Sequence, residues 1–398
     1  MKKILLIDDN FHSINKGAPL FSMERKFLLE EGYEVYTISF DASSDEVEID
    51  KDFIINTNLS GLGQKISKFH GSKNIEDQIK DIIQKIQPDV IHNHLISKYP
   101  ISVFNALPEN IPVIQTLHGP NFFCPTSWGN MKKDSSPCDL GVSLKCVAGG
   151  CIPIWQYPIM YNLFSKMPKL LEKVTLFHCP SKNIEKVSQH FGFTNTKIIS
   201  LGLRENFTNI SPKTNFKGNK ILFIGSLHAV KGLDYLLESM IKIIKINPQV
   251  KLLIAGRGPS EKFYRHMVTN LKLEKNIEFL GFVMSVDIID LYQSVDITIV
   301  PSIWSEQFGM VGPESLACGV PVIGSNVGGI PEWLKDNEHG ILVPPRNSEQ
   351  LAEKILFLLE NKEMLIDYGK KGHAYMNQVH TNEQYKINLL EMIKDVQR

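Results

Sequence analysis

Glu306 and Glu314 bracket the loop Gln307-Phe308-Gly309-Met310-Val311-Gly312-Pro313. A carboxylate accepts two hydrogen bonds at once from a vicinal diol, and sugars and riboses offer such diols. The two glycines let the backbone approach a ligand, because neither carries a Cβ. Pro313 pre-sets φ for the first turn of a helix without removing a needed N–H. A second group stands upstream. Lys231 lies beside Gly232 at the start of a predicted helix, where its ammonium and the helix N-terminus can both face a phosphate. Each residue also has an ordinary reading: Glu314 as a first-turn acid, Glu306 and Lys231 as solvated charges.

The elements that must hold these groups follow from periodicity. Ile297–Pro301 reads as a buried strand, Ser315–Cys318 as a helix stopped by Gly319, and Val320–Gly324 as the next strand. The order strand, glycine loop, helix, strand is a parallel βαβ unit with its loop at the carboxyl end of a strand. Three more loops occupy the same position after predicted strands: Asn15-Lys16-Gly17-Ala18, Gly225-Ser226 through Gly232, and Gly256-Arg257-Gly258-Pro259. None is the G-x-G-x-x-G of a dinucleotide site. The same alternation covers both halves of the chain. Strands are expected at Lys3–Ile7, Glu34–Phe40, Asp89–His92, Pro112–Leu117, Val174–Cys179 and Lys197–Leu201. After a linker they return at Lys220–Gly225, Val250–Gly256, Ile277–Gly281 and Ile341–Val343. The fold class is α/β, with two Rossmann-like, doubly wound domains facing a central cleft. Residues 1–204 form the first domain, with a cysteine-rich loop at 119–155. Residues 218–375 form the second, and 376–398 a terminal helix packing back on the first. Residues 41–72 read as a polar surface excursion, and 362–397 as one further helical stretch.

Composition narrows the classes. The chain has 398 residues, and its 43 basic side chains equal its 43 acidic ones. Zero formal net charge argues against a general nucleic-acid binder. No apolar run is long enough to span a bilayer, and the N-terminal apolar run is too short and ends in acids. A cytoplasmic protein is expected, with its cysteines reduced. Four of the six, Cys124, Cys138, Cys146 and Cys151, fall in the irregular loop. They lack a Cys-x-x-Cys pair, so a structural zinc and four reduced thiols stand as alternatives.

Glu306-x7-Glu314 with Ser315-Leu-Ala-Cys-Gly-Val-Pro-Val-Ile-Gly-Ser and Gly328-Gly-Ile-Pro-Glu332 resembles the signature of retaining family 4 glycosyltransferases of the GT-B fold. Gly225-Ser-Leu…Lys231-Gly232, Ala255-Gly-Arg-Gly-Pro259, Leu280-Gly-Phe282, Asp89-Val-Ile-His-Asn-His94 and Thr116-Leu-His118 match other stations of that family. The resemblance implies a donor that is a nucleotide diphosphate sugar, a UDP-sugar first, and an acceptor that is a glycan, a lipid-linked glycan or a small molecule. Glu314 would hold the ribose; Glu306 and the backbone of Phe308, Gly309, Met310 and Val311 would hold the sugar. Lys231 would neutralise the diphosphate. Phe282, Val283 and Arg257 would meet the base, Gly17 and Ser226 the phosphates, and His118 the reacting sugar. His12 and His94 belong to the acceptor side. Asp8-Asp9 is not an Asp-x-Asp, so no catalytic metal is expected. Retention would proceed by front-face attack without the carboxylate pair of retaining glycosidases. The family's usual arginine is replaced by Ser226, and Arg204, Arg257 and His228 stand as alternative substitutes for it. The helix at 158–173 covers the sheet or, less expectedly, touches the inner membrane surface through its lysines. The other readings are a GT-B epimerase or hydrolase, and an inactive sugar-nucleotide-binding subunit.

Overall fold

The computed structural model describes residues 2–9, 19–41, 51–57, 59, 61–126, 138, 141–284 and 286–397. The chain divides into two compact units. One takes in Met1–Gly129, Cys138–Leu201 and Tyr385–Arg398; the other contains Gly202–Gln384.

The first unit is a seven-stranded, all-parallel sheet of β1 Lys3–Ile7, β2 Glu34–Phe40, β3 Asp52–Ile55, β4 Val90–Asn93, β5 Val113–Thr116, β6 Leu176–Cys179 and β7 Thr196–Ile198. Its order is β3-β2-β1-β4-β5-β6-β7. The strands are apolar on both faces because helices cover both. Alternation along β1 shows this. Leu5 and Ile7 join one core with Ile75, Ile79 and Ile83 of the helix Lys73–Ile86, whereas Ile4 and Leu6 join the other with Phe21 and Leu28. Tyr385, Leu389, Met392 and Ile393 of the terminal helix complete that second core. Each fully buried aliphatic contributes about 1.5–3 kcal/mol. Ser181 caps the helix Lys182–His190, accepting from Ile184 N at 3.3 Å.

The second unit is a six-stranded parallel sheet of β8 Lys220–Ile224, β9 Lys251–Ala255, β10 Ile277–Gly281, β11 Ile297–Val300, β12 Val322–Ser325 and β13 Gly340–Val343, in the order β10-β9-β8-β11-β12-β13. Ile221, Phe223, Leu252, Ile254, Ile297 and Ile299 pack against the helices Leu233–Ile246 and Ser348–Glu360. In each unit the chain reverses its direction of growth beside the first strand, so ligand loops belong between β1 and β4 and between β8 and β11.

The polar stretch after β2 is more than a surface excursion. It holds β3 and the helix Gly61–His70. Its four-residue strand is too short to show a period. The helix Pro100–Ala106 adds an element that the strand pattern passed over, although Pro100 stands at its start. The terminal helical stretch is two helices, Lys362–Val379 and Asn382–Val396, broken at His380.

Candidate active site

In the second unit the loops after β8 and β11 lie side by side, because these strands are neighbours. A 3₁₀ turn, Ala229–Lys231, carries Lys231 to the loop and closes on Gly232, whose φ is +69°. A Cβ there would strike the Pro301 carbonyl oxygen. Lys231 Nζ donates to Glu306 Oε1 at 2.6 Å and lies 4.8 Å from the Trp304 ring centroid. Ser302 Oγ donates to the same oxygen at 2.7 Å. Glu306 is therefore buried but partnered on one oxygen by a cation and a hydroxyl. Its backbone is pinned as well: Gly329 N–H donates to the Glu306 carbonyl at 2.7 Å.

Past Glu306, the Phe308 carbonyl accepts from Trp333 Nε1, and Gly309 turns the chain at φ +81°. Gly312 lies flat against the Trp333 ring. The helix Val311–Ala317 then presents Glu314. Its Oε1 accepts from Arg204 Nε at 2.7 Å and its Oε2 from Tyr292 Oη at 3.2 Å. Burial pushes the Glu314 carboxyl above its ordinary value, and Arg204 and Tyr292 only partly oppose this. Of the three candidate cations, Arg204 is placed on a site carboxylate.

That pair has a sign that can be checked. With a folded pKa above the unfolded value, Glu314 costs stability as pH rises through the interval between them. Arg204→Ala removes the opposing charge and enlarges the cost at neutral pH. The expected loss is about 1–3 kcal/mol, since the arginine keeps some solvent contact. Thermal melts should show a larger gap between variant and parent at pH 7.5 than at pH 4.5. An equal gap at both would contradict it.

The loops after β9 and β10 join the same edge. Gly256 N–H donates to the Gly281 carbonyl at 2.6 Å, and a Cβ on Gly256 would strike the Gly225 carbonyl oxygen. A Cβ on Gly258 would meet the backbone of Leu227. Arg257 and Ser226 are exposed, Phe282 is exposed and Val283 half-buried, and the Arg257 guanidinium lies beside Gly281. So Ser226, Lys231, Arg257, Phe282, Val283, Glu306, Phe308, Gly309, Met310, Val311 and Glu314 gather along one edge of one sheet.

In the first unit, Gly17 and His12 lie outside the described residues. His94 and His118 come together, Nδ1 to Nε2 at 3.4 Å. They belong to a larger buried group. His94 Nε2 lies 2.8 Å from Glu24 Oε2, and His92 Nδ1 lies 3.5 Å from the same oxygen. Tyr385 donates to Glu24 Oε1. His92 Nε2 and His178 Nδ1 flank the Thr116 hydroxyl at 2.7 and 3.0 Å, and His178 Nε2 donates to the Ile199 carbonyl at 3.0 Å. Burial alone would push the Glu24 carboxyl up. The facing imidazoles of His94 and His92 outweigh burial and hold it well below the usual range. Burial pushes His118 down to about 3, with His94 and His178 adding to the effect.

Glu24 was missed from sequence, as was His178. The signal for Glu24 was present: it follows Phe21 by three residues and precedes Phe27 and Leu28 by three and four, on the apolar stripe of the helix Pro19–Glu30. An acid on that stripe needs a partner. Glu24, His92 and His178 offer ligand atoms within 4.8 Å of one another. Thr116 stands bonded between the two rings, so they are held by hydrogen bonds rather than set out as ligands.

Cys124 Sγ lies 3.1 Å from the Thr126 hydroxyl, and Cys146 Sγ donates to the Gly141 carbonyl at 3.3 Å. Burial pushes the Cys146 thiol up, and Cys151, Cys138 and Cys124 add to it. Among the described residues, no three of these thiols lie within 4.8 Å of one another. The helix Tyr157–Leu171 buries Leu163, Met167 and Leu171 in its own unit. Among the described residues no helix is long and apolar enough to cross a membrane.

Comparison with known proteins agrees with this fold. Residues 206–374 match the family model "Glycosyl transferases group 1", and residues 3–133 match "Glycosyl transferase 4-like". The chain is similar to Anabaena Alr3699/HepE, solved in complex with UDP-glucose. The TM-score is 0.71 at 19% identity, over 99% of this chain and 100% of that one. It is 36% identical over 154 residues to the uncharacterized glycosyltransferase MJ1607 of Methanocaldococcus jannaschii, spanning 38% of this chain and 39% of that protein. It is 23% identical over 330 residues to N-acetyl-alpha-D-glucosaminyl L-malate synthase of Bacillus anthracis, over 81% of this chain and 79% of that protein. Two parallel Rossmann-like units with carboxylate and glycine loops at the strand ends define the GT-B fold. The chain belongs to the GT4-type glycosyltransferases.

Proposed function

We propose that the protein transfers a hexosyl unit from a nucleotide diphosphate sugar, a UDP-sugar first, to a hydroxyl of a glycan, a lipid-linked glycan or a small molecule, with retention at the anomeric carbon. The observation that carries this is the Lys231–Glu306 pair: a cation and a diol-binding carboxylate, 2.6 Å apart, at the loop edge of the second unit. The UDP-glucose in the Anabaena neighbour supports the donor class.

In this reading Glu306 and the Phe308–Val311 backbone hold the sugar, and Glu314 turns toward the ribose. The base lies along Arg257, Phe282 and Val283, with Ser226 at the phosphates. The bond from the anomeric carbon to the phosphate oxygen breaks. Lys231 neutralises the charge that develops on that oxygen. The acceptor oxygen bonds to the same face of the carbon and its proton passes to the departing phosphate. His118 hydrogen-bonds the transferring sugar, with His94 buried behind it rather than toward the acceptor.

Incubation with labelled UDP-sugars and candidate acceptors, followed by proton NMR of the product, tests the reading. An α-linked product from an α-linked donor, formed only with acceptor, is the expected result. Donor breakdown that ignores acceptor would replace transfer by hydrolysis, and a β-linked product would refute retention.

A further inference from the structure

The functional reading assigns work to His118 but none to the charge buried behind it. Glu24 is fully buried, and three imidazoles and a phenol surround it. The protons in this cluster can be placed from one fixed end. The Ile199 carbonyl can only accept, so His178 donates to it from Nε2. Thr116 then donates to His178 Nδ1, and His92 donates to Thr116 from Nε2. That accounts for the single proton of a neutral His92 and a neutral His178. The counter-charge for Glu24 therefore falls to His94, whose Nε2 is 2.8 Å from the carboxylate.

We propose that Glu24 and His94 are a positioning pair for His118. The carboxylate keeps a proton on both nitrogens of His94, so His94 donates from Nδ1 and His118 accepts at Nε2, carrying its own proton on Nδ1. His118 is thereby held neutral, in one tautomer, with Nδ1–H as its donor to a substrate oxygen. A charged His94 placed 3.4 Å away also discourages a second proton on His118.

The groups facing His94 agree on its charge. Glu24 comes from the helix Pro19–Glu30, Asp8 from the end of β1, His92 from β4, His178 from β6 and His118 from the loop after β5. The Phe21 ring meets His94 edge-on at 5.1 Å. Burial opposes charge on His94, but Glu24 and Asp8 outweigh it and hold the ring above the ordinary histidine value. His92 and His178 are held below theirs, chiefly by burial. A buried carboxylate–histidine pair that sets the tautomer of a third group is the logic by which orienting residues act in triads and around ligating histidines.

The proposal's effect on rate rests on the reading of His118 as a residue that touches the sugar; its effect on the tautomer does not. The experiment uses the full-length chain labelled with ¹⁵N in its imidazoles, with the His118 signals assigned by their loss in His118→Ala. In the parent protein at pH 7, His118 should show a protonated Nδ1 and a bare Nε2. Glu24→Gln should move the proton of His118 toward Nε2. It should also lower kcat by about 10–100-fold with little change in donor KM. Tyr385→Phe removes the other bond to Glu24 and should lower the melting temperature while leaving the His118 tautomer in place. Protonated Nε2 on His118 in the parent protein overturns the proposal without any variant. So does a Glu24→Gln protein whose His118 signals match the parent, or metal at one ion per chain lost with Glu24→Gln. If His118→Ala transfers sugar at the parent rate, the catalytic reading of His118 falls, while the tautomer measurement still decides the pair.

Discussion

Lys231→Ala is expected to lower kcat by about 10²–10³-fold, the usual loss when one preorganised charge is removed from a developing oxyanion. Lys231 is well placed for that role. Its ammonium is held by Glu306 and by the Trp304 face, and the turn that carries it is locked by a left-handed Gly232. None of these contacts lets it swing freely, so little reorganisation is needed when charge appears. Glu306→Gln should lose a similar factor for a different reason. It keeps the shape but weakens the grip on sugar hydroxyls, and it releases the lysine. Because the two side chains touch, the double variant should be much less than multiplicative. The stability cost of Lys231→Ala should be about 1–3 kcal/mol, because it takes the counter-charge from the buried Glu306 carboxylate and leaves it the Ser302 hydroxyl. Steady-state kinetics with the donor varied, beside a thermal melt, checks both parts. A fall in kcat/KM confined to KM would mean that Lys231 serves ground-state binding alone. A multiplicative double variant would mean that the two residues work apart.

The second unit was more legible in sequence than the first, and the reason is physical. Its site is local. Glu306, Gly309, Gly312 and Glu314 lie within nine residues, and each loop is announced by a strand before it and a glycine or proline in it. The partners of those residues were less visible. Arg204 reaches Glu314 across 110 positions of sequence, and Trp333 reaches the Phe308 carbonyl across 25. Nothing in the spacing of either pair predicts the contact. In the first unit the buried cluster draws Glu24, His92, His94, Thr116, His118, His178 and Tyr385 from helices, strands and a loop scattered over the unit's whole sequence. Read one at a time, His178 is an apolar-strand histidine with no context. The parallel register that sets Thr116 beside His178 gives it one partner, and the Ile199 carbonyl gives it another. Glu24 could have been found, because a charge on an apolar helical stripe is itself a signal. The stretch 41–72 was misread because a four-residue strand and a short polar helix carry little periodicity.

Gly312→Ala should be strongly destabilising, at about 3 kcal/mol and roughly 6–12 °C of melting temperature. The backbone at Gly312 is helical, so conformation does not forbid a side chain. Space does. A Cβ would enter the Trp333 ring, which is fully buried and whose indole N–H is committed to the Phe308 carbonyl. Backing the ring away would press it into the packed core behind it and release that carbonyl, and with it the turn between Glu306 and Glu314. Gly309 makes the contrast. Its φ of +81° strains any other residue, but the nearest heavy atoms to a Cβ there are 3.9 Å away. Gly309→Ala should therefore cost about 1–2 kcal/mol, by conformation alone. The two costs also differ in what relieves them. Trp333→Phe makes room at Gly312, so Gly312→Ala with Trp333→Phe should fall short of the summed single losses by about 1 kcal/mol or more. The same aromatic change should leave the cost at Gly309 untouched. Chemical denaturation of the five variants, two of them double, measures this directly. Strict additivity at Gly312 would show that the ring is not what keeps a side chain out.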